Sequence, residues 1–257
     1  MPRYQGSAYI LKKWDVGESD QLVSFVVADR GRVKGIAKGA KRSKKRFGGL
    51  LSPFILVQID YFEKPGSDLV RIEGCSYIYY YSAIYADLEK LLVGCSLLEM
   101  MERVLPEQEG SDRFFLLLKR SFEYLNDRAE IGAFWYAFVV KCLNLLGLQP
   151  QFRSCIHCRR PLSVSGVFGF SVPQGGVVCG MCIQKGTSTH RISADTLALL
   201  NDWLTKPFKE SPLVDVPLKL LGEVEMIFDS FVGFHVTREL RSLKVLKEVK
   251  KGLNIER

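Results

Sequence analysis

The chain has 257 residues, 47% of them hydrophobic and 25% charged, which describes a soluble globular protein and excludes a disordered one. It carries 36 Lys and Arg against 28 Asp and Glu, a net charge of +8, and nine of those cations lie in segment 30–46 with no acidic residue among them. Without that segment 27 basic residues face 28 acidic ones, so the positive field is local, as a polyanion partner requires.

The opening MPRYQGSAYILKKW lacks the apolar core and cleavage site of a signal peptide. β-Structure is predicted over the first 80 residues. Tyr9–Trp14 is a short strand and Gln21–Ala28 a β-branched, aromatic one, and Asp29 to Arg32 forms a tight turn before Val33–Ala37. Phe54–Phe62 and Leu69–Cys75 follow, separated by the turn Lys64–Ser67. Five short strands with Gly and Pro turns fit a small closed barrel with the OB-fold strand count.

From about Tyr81 the period changes to that of helices. Leu88, Leu91, Leu92, Cys95, Leu98 and Met101 mark one face, with Pro106 as the stop, and Phe114, Leu117, Leu118, Phe122 and Leu125 mark a second helix. Ile131–Leu146 is apolar around most of its circumference but interrupted by Lys141 and Asn144, so it reads as a buried core helix and not a membrane span. Gly147 and Pro150 end it. After an insert at 150–190, helical periodicity returns over Thr196–Leu204, Leu218–Phe231 and Glu239–Lys251. The expected fold is multidomain α+β: an OB-fold β-barrel at 1–80, a helical bundle at 81–149 and 191–257, and a zinc-ribbon-like module at 150–190.

The module carries Cys155 and Cys158, then after twenty residues Cys179 and Cys182. Two Cys-x2-Cys knuckles supply four soft thiolates, which suit one tetrahedral Zn²⁺ closed to water and therefore structural. Between them GVFGFSVPQGG reads as a hairpin, too small to fold without the metal. His157 and His190 are alternative ligands, read in preference as ordinary polar residues. Seven cysteines arranged in this way predict a reducing cytoplasm.

Lys34, Lys38, Lys41, Arg42, Lys44, Lys45 and Arg46 are the candidate DNA-binding residues, on a glycine-punctuated loop expected to be mobile. Trp14, Phe25, Phe47, Tyr61 and Phe62 are possible base-stacking rings, each read first as core. At the C-terminus Arg238, Arg241, Lys244, Lys247 and Lys250 recur beside Leu240, Leu243, Leu246 and Val249, which reads as a solvent face over a packed one. There is no P-loop, no His-Glu-x-x-His, no Gly-x-Ser-x-Gly and no His-x-Glu of a zinc deaminase, so no catalytic residues are assigned.

The chain resembles the bacterial recombination mediator family RecO. The matching pieces are Ala8 to Lys12 with Gly17 to Asp20, then Gly35-Ile-Ala-Lys-Gly-Ala-Lys-Arg-Ser-Lys44, then Arg46 to Leu50 running to Pro53 and Phe54. Leu145 to Pro150 ahead of the cysteines and Phe234-His235 to Arg241-Ser-Leu243 also match, with Thr237-Arg-Glu-Leu as a departure. The resemblance implies binding of single- and double-stranded DNA, strand annealing, and work with RecR, single-strand-binding protein and, indirectly, RecA. An acidic tail on single-strand-binding protein calls for a basic, apolar pocket on the helical domain. A nucleoid-associated cytoplasmic protein with no membrane partner and no enzymatic activity is expected. The alternatives are an RNA-binding, translation-associated protein and a nuclease.

Overall fold

The computed structural model describes residues 2–63, 65–105, 107, 112–162, 166–183, 189–236 and 240–252, the last three without side chains. Its contacts divide the chain into two compact units, one of residues 1–127 with 240–257 and one of residues 128–239.

In the first unit, β1 (Arg3–Val16), β2 (Asp20–Val27), β3 (Gly31–Ala37), β4 (Ile55–Phe62) and β5 (Val70–Tyr80) close a barrel in the order β1-β2-β3-β5-β4. This is an OB-fold arrangement, and the parallel β3–β5 pair completes the ring. Gly35 sits at that seam opposite Val70, where a Cβ would stand 2.9 Å from the Val70 carbonyl oxygen, so the close strand approach requires glycine. Along β3 the burial alternates, with Val33 and Ala37 inside and Arg32, Lys34 and Ile36 turned outward. β1 does not alternate: Ala8 and Ile10 fill the barrel, while Tyr9 rests on Phe115 and Phe122 outside it. Those rings belong to a helical layer of α1 (Ser82–Ala86), α2 (Leu88–Val104) and α3 (Asp112–Asp127), so the middle of β1, residues 8–11, is buried on both faces.

The Asp87 side chain caps α2 by accepting the Lys90 N–H at 2.9 Å. The buried side of α2 is Val93, Leu97, Leu98, Met100 and Met101, whereas Leu88 is exposed, which corrects the face expected from spacing. The helix meets β1, α1, α3 and α7 (Arg241–Gly252), so its apolar residues are shared among several neighbours and no single stripe defines its core. The stop expected at Pro106 lies outside the described residues, as do Arg238, Glu239 and the Lys250 side chain.

The helices expected as one bundle therefore separate: α1, α2, α3 and α7 belong with the barrel. Glu99 explains the return of α7. Its carboxylate accepts the N–H groups of Arg241 and Ser242 at 3.1 and 3.0 Å and the Ser242 hydroxyl at 3.0 Å, covering donors that a helix start leaves open. Burial alone would raise the Glu99 pKa, but these bonds hold it below the ordinary value.

In the second unit α4 (Phe134–Leu145) is buried nearly throughout, as its composition predicts. Gly147, at φ +72°, ends it: the Leu148 N–H reaches the Leu143 carbonyl and the Gly147 N–H the Asn144 carbonyl, a Schellman closure. β6 (Phe168–Ser171) pairs with both β7 (Gly176–Cys179) and β8 (His190–Ile192), and α5 (Ala194–Thr205) and α6 (Leu218–His235) follow. Ser193 caps α5 and is itself held by Glu223. The small sheet is not self-contained, because Phe152 and Phe170 pack on Phe228 and Phe231 of α6. No helix among the described residues is long and apolar enough to cross a membrane.

Candidate nucleic-acid interface and metal centre

Segment 30–46 is divided by the fold. Its first part is strand, and the outward cations of that strand meet carboxylates. Arg32 lies between Glu102 and Glu107 at 3.3 Å from each, and Lys34 reaches Glu107 at 2.6 Å. Arg30 pairs with Glu63 at 2.9 Å and covers the Tyr4 ring. Lys34 is thus half-buried and engaged by the Glu107 carboxylate.

The remaining six, Lys38, Lys41, Arg42, Lys44, Lys45 and Arg46, are all exposed on the loop from residue 38 to residue 50. Lys41 meets Asp15 near the end of β1 at 3.0 Å, and Arg42 meets Glu18 in the β1–β2 turn at 3.2 Å. Exposed pairs of this kind contribute at most about 1 kcal/mol and yield readily to a phosphate. Lys38, Lys44 and Lys45 have no ion pair among the described residues. Arg46 binds the Lys38 carbonyl at 2.7 Å and stands 5.0 Å from the Phe47 ring, so it staples the loop while staying exposed.

This loop is not the loose arm its glycines suggest. Phe47 and Leu51 are buried in the barrel core, the Asp20 carboxylate accepts the Gly39 N–H at 2.8 Å, and the Arg46 carbonyl accepts the Cys75 N–H at 3.0 Å. The Gly39 N–H and the Ser19 hydroxyl hold the Asp20 pKa below the usual carboxylate range. The cations are therefore carried on a shaped platform. Phe25, Phe47 and Tyr61 are core, and Trp14 and Phe62 are half-buried, Trp14 with Lys12 over its ring.

Sequence reading missed the acidic partners Glu102 and Glu107, about 70 residues away from Arg32 and Lys34, which no local pattern marks. It also missed a row of exposed tyrosines, Tyr77, Tyr79 and Tyr80, at the end of β5. The run Tyr-Ile-Tyr-Tyr-Tyr at 77–81 was the available signal. The basic, apolar pocket expected on the helical domain is not identified among the described residues. A depression of about 450 Å³ beside α2 has Lys12, Arg103 and Arg241 in its wall, but Glu99 and Glu102 as well.

The cysteines come together as their spacing predicts. The four Sγ atoms of Cys155, Cys158, Cys179 and Cys182 all lie within 4.8 Å of one another and can hold a metal ion. Each pair sits on a tight turn: the Arg159 N–H returns to the Cys155 carbonyl, and the Cys182 and Ile183 N–H groups to the Cys179 carbonyl. The first knuckle is laid against β7 through Gln151 and Val177. Four sulfurs at about 2.3 Å from a tetrahedral ion stand roughly 3.8 Å apart, and Cys158 and Cys179 are 3.8 Å apart. Burial opposes ionisation of Cys155, yet N–H groups of Cys179, Cys158 and His157 hold its thiol down to about 6. Its hydrogen bond with Cys179 pushes Cys182 up to about 12. Four thiols this close resist ionising together, and a divalent cation among them removes the conflict. Neither exposed His157 nor His190 in β8 joins the cluster.

An OB-fold barrel bearing an exposed cationic platform, in a chain that also brings together four cysteines able to hold a metal ion, fits a nucleic-acid-binding class of protein. The model for the Recombination protein O N terminal matches residues 1–81, and that for the Recombination protein O C terminal matches residues 85–244. The DNA repair protein RecO of Anaeromyxobacter dehalogenans strain 2CP-C is 28% identical over 249 residues, covering 97% of this chain and 98% of that one. Its counterpart in Anaeromyxobacter sp. strain Fw109-5 is 31% identical over 259 residues, covering 96% of each. That of Pelotomaculum thermopropionicum is 27% identical over 247 residues, covering 96% and 94%. The chain belongs to the RecO family of DNA repair and recombination proteins.

Proposed function

We propose that this protein is a recombination mediator without catalytic chemistry of its own, which binds single- and double-stranded DNA and anneals complementary strands. The observation that carries this reading is the platform of exposed cations, Lys38, Lys41, Arg42, Lys44, Lys45 and Arg46, anchored to the barrel by Phe47. Phosphates placed there release counterions and lose their mutual repulsion, so two strands can approach. Base pairing then supplies the specificity, since such contacts read only backbone. Lys34 contributes least of the candidate set, because Glu107 takes up its charge.

The cysteine centre takes one structural Zn²⁺, because four thiolates leave no open position for chemistry. In the reducing cytoplasm, at the nucleoid, the protein works with RecR to help RecA replace single-strand-binding protein. Family membership supports these partners.

The test is annealing of complementary strands coated with single-strand-binding protein, with and without RecR. Acceleration is expected, greater with RecR; no acceleration in either arm overturns the reading. Lys44→Glu combined with Lys45→Glu should lower the slope of log affinity against log salt by about two contacts. Lys41→Glu with Arg42→Glu should change it less, because Asp15 and Glu18 already compete for those cations. An equal-length RNA that outcompetes DNA would move the function to the RNA-binding class.

A further inference from the structure

The chain has ten tyrosines, and the four that are exposed all fall within 77–85: Tyr77, Tyr79, Tyr80 and Tyr85. Tyr77 is 59% accessible although it sits in a strand, where an aromatic ring ordinarily serves the core. β5 closes the barrel only through Val70 to Ile72, and from Gly74 onward it pairs with β4 alone. A β-bulge between Leu56 and Val57 leaves Ile78 as an extra residue, and the tyrosines cluster around it.

Tyr79, Tyr80 and Tyr85 are supported by neighbouring rings. Tyr79 stands edge-on to buried Tyr81 with centroids 4.8 Å apart, and Tyr81 shares a hydroxyl hydrogen bond of 2.8 Å with Tyr9. Tyr80 lies 5.4 Å from Tyr85, whose ring is 5.3 Å from buried Phe54 and whose hydroxyl donates to the Pro53 carbonyl. Exposed rings fixed in this way lose little freedom when something stacks on them. The cationic loop reaches the same strand, because the Arg46 carbonyl binds the Cys75 N–H. Tyr77 follows two residues later, about 7 Å along the strand.

We infer that Tyr77, Tyr79, Tyr80 and Tyr85 form a stacking platform for unpaired bases of a DNA single strand whose phosphates lie on the Lys44–Arg46 loop. The inference rests on the DNA-binding reading and adds a selectivity to it. Charge favours any polyanion, whereas an aromatic face gains only from bases that are not already paired and stacked. The occupant is a single strand and not a peptide, since the platform adjoins the most cationic stretch of the chain and offers ring faces of the kind that every base can stack on. A strand held this way has its bases separated and within reach of a complement.

The test measures affinity for a fluorescent oligo-dT, for an abasic strand of equal length and for a duplex of equal length. Tyr77→Ala with Tyr80→Ala should weaken oligo-dT binding by about tenfold or more, leave the abasic strand and the duplex unchanged, and leave the salt slope intact. Tyr77→Phe with Tyr80→Phe should restore binding, because the ring remains. In the unaltered protein, photo-crosslinking of a strand carrying 5-iodouracil should map to residues 77–85. Unchanged oligo-dT affinity, an equal loss on all three polymers, or crosslinks confined elsewhere would each overturn the platform; the first outcome would leave the rings to a protein partner. The two readings fail separately. An unaltered salt slope in the Lys44→Glu and Lys45→Glu protein removes the loop while a base-dependent tyrosine loss keeps the platform.

Discussion

The loop from residue 38 to residue 50 and the knuckles around Cys155 and Cys179 are both short, glycine-bearing and poor in regular structure, yet different forces hold them. The loop is tied by a hydrophobic plug and by backbone hydrogen bonds to distant strands. The knuckles are tied by local turns and bring together four sulfurs that could hold a cation. A segment that must present charge to solvent is best anchored by an apolar residue beneath it. A segment whose cross-link is chemical can dispense with most apolar anchoring at the link itself. The comparison also explains why one region is written locally in the chain and the other is not.

The largest effect is expected from breaking the chemical link. Cys155→Ser should abolish stoichiometric zinc, measured by metal analysis after gel filtration, and should open the first knuckle to proteolysis between Arg153 and Arg160. Structural zinc in small peptides contributes on the order of 10 kcal/mol. Here the Phe152 and Phe170 packing on α6 should preserve the sheet, so loss is confined to the knuckles. Full zinc occupancy in this variant would show that three cysteines with water or His157 suffice.

Breaking the hydrophobic anchor comes next. Phe47→Ala empties a buried site and should cost about 3–5 kcal/mol in denaturant unfolding of the barrel unit. It should also weaken DNA binding without altering any charge. A cost below about 1 kcal/mol would mean that the loop hydrogen bonds suffice without the plug.

The smallest effect is on the Asp20 tether. Its folded-state pKa is depressed, so the stability it contributes is present above the unfolded carboxylate value of about 3.9 and disappears as pH falls through the folded one. The Gly39 amide proton should therefore show a chemical-shift titration with a midpoint below about 3.9, and Asp20→Asn should abolish it. A midpoint at or above the ordinary value would show that the bond to Gly39 is not maintained in solution.

Much of the architecture was legible because its signals are local. The β-branched, aromatic run from Gln21 marked β2, a mostly apolar run marked α4, Gly147 marked its end, and two Cys-x2-Cys pairs marked the cysteine cluster. Each of these is enforced by neighbours within a few residues. The helical face of α2 was misplaced because that helix packs on several elements at once. The allegiance of α7 was invisible because Glu99 is more than 140 residues away from the helix start it caps.

By itself the sequence determined that a concentrated positive field exists near residues 30–46, that four thiolates sit at chelating spacing, and that strands precede helices. Charge, chelation and periodicity are properties of short stretches of chain. Only the tertiary structure decided which cations are spent on Glu102 and Glu107 and which face solvent, that Phe47 turns a flexible-looking loop into a platform, and that four tyrosines stand exposed beside it. Those outcomes depend on which distant groups meet when the barrel closes, and a carboxylate 70 residues away leaves no trace in the local pattern it neutralises.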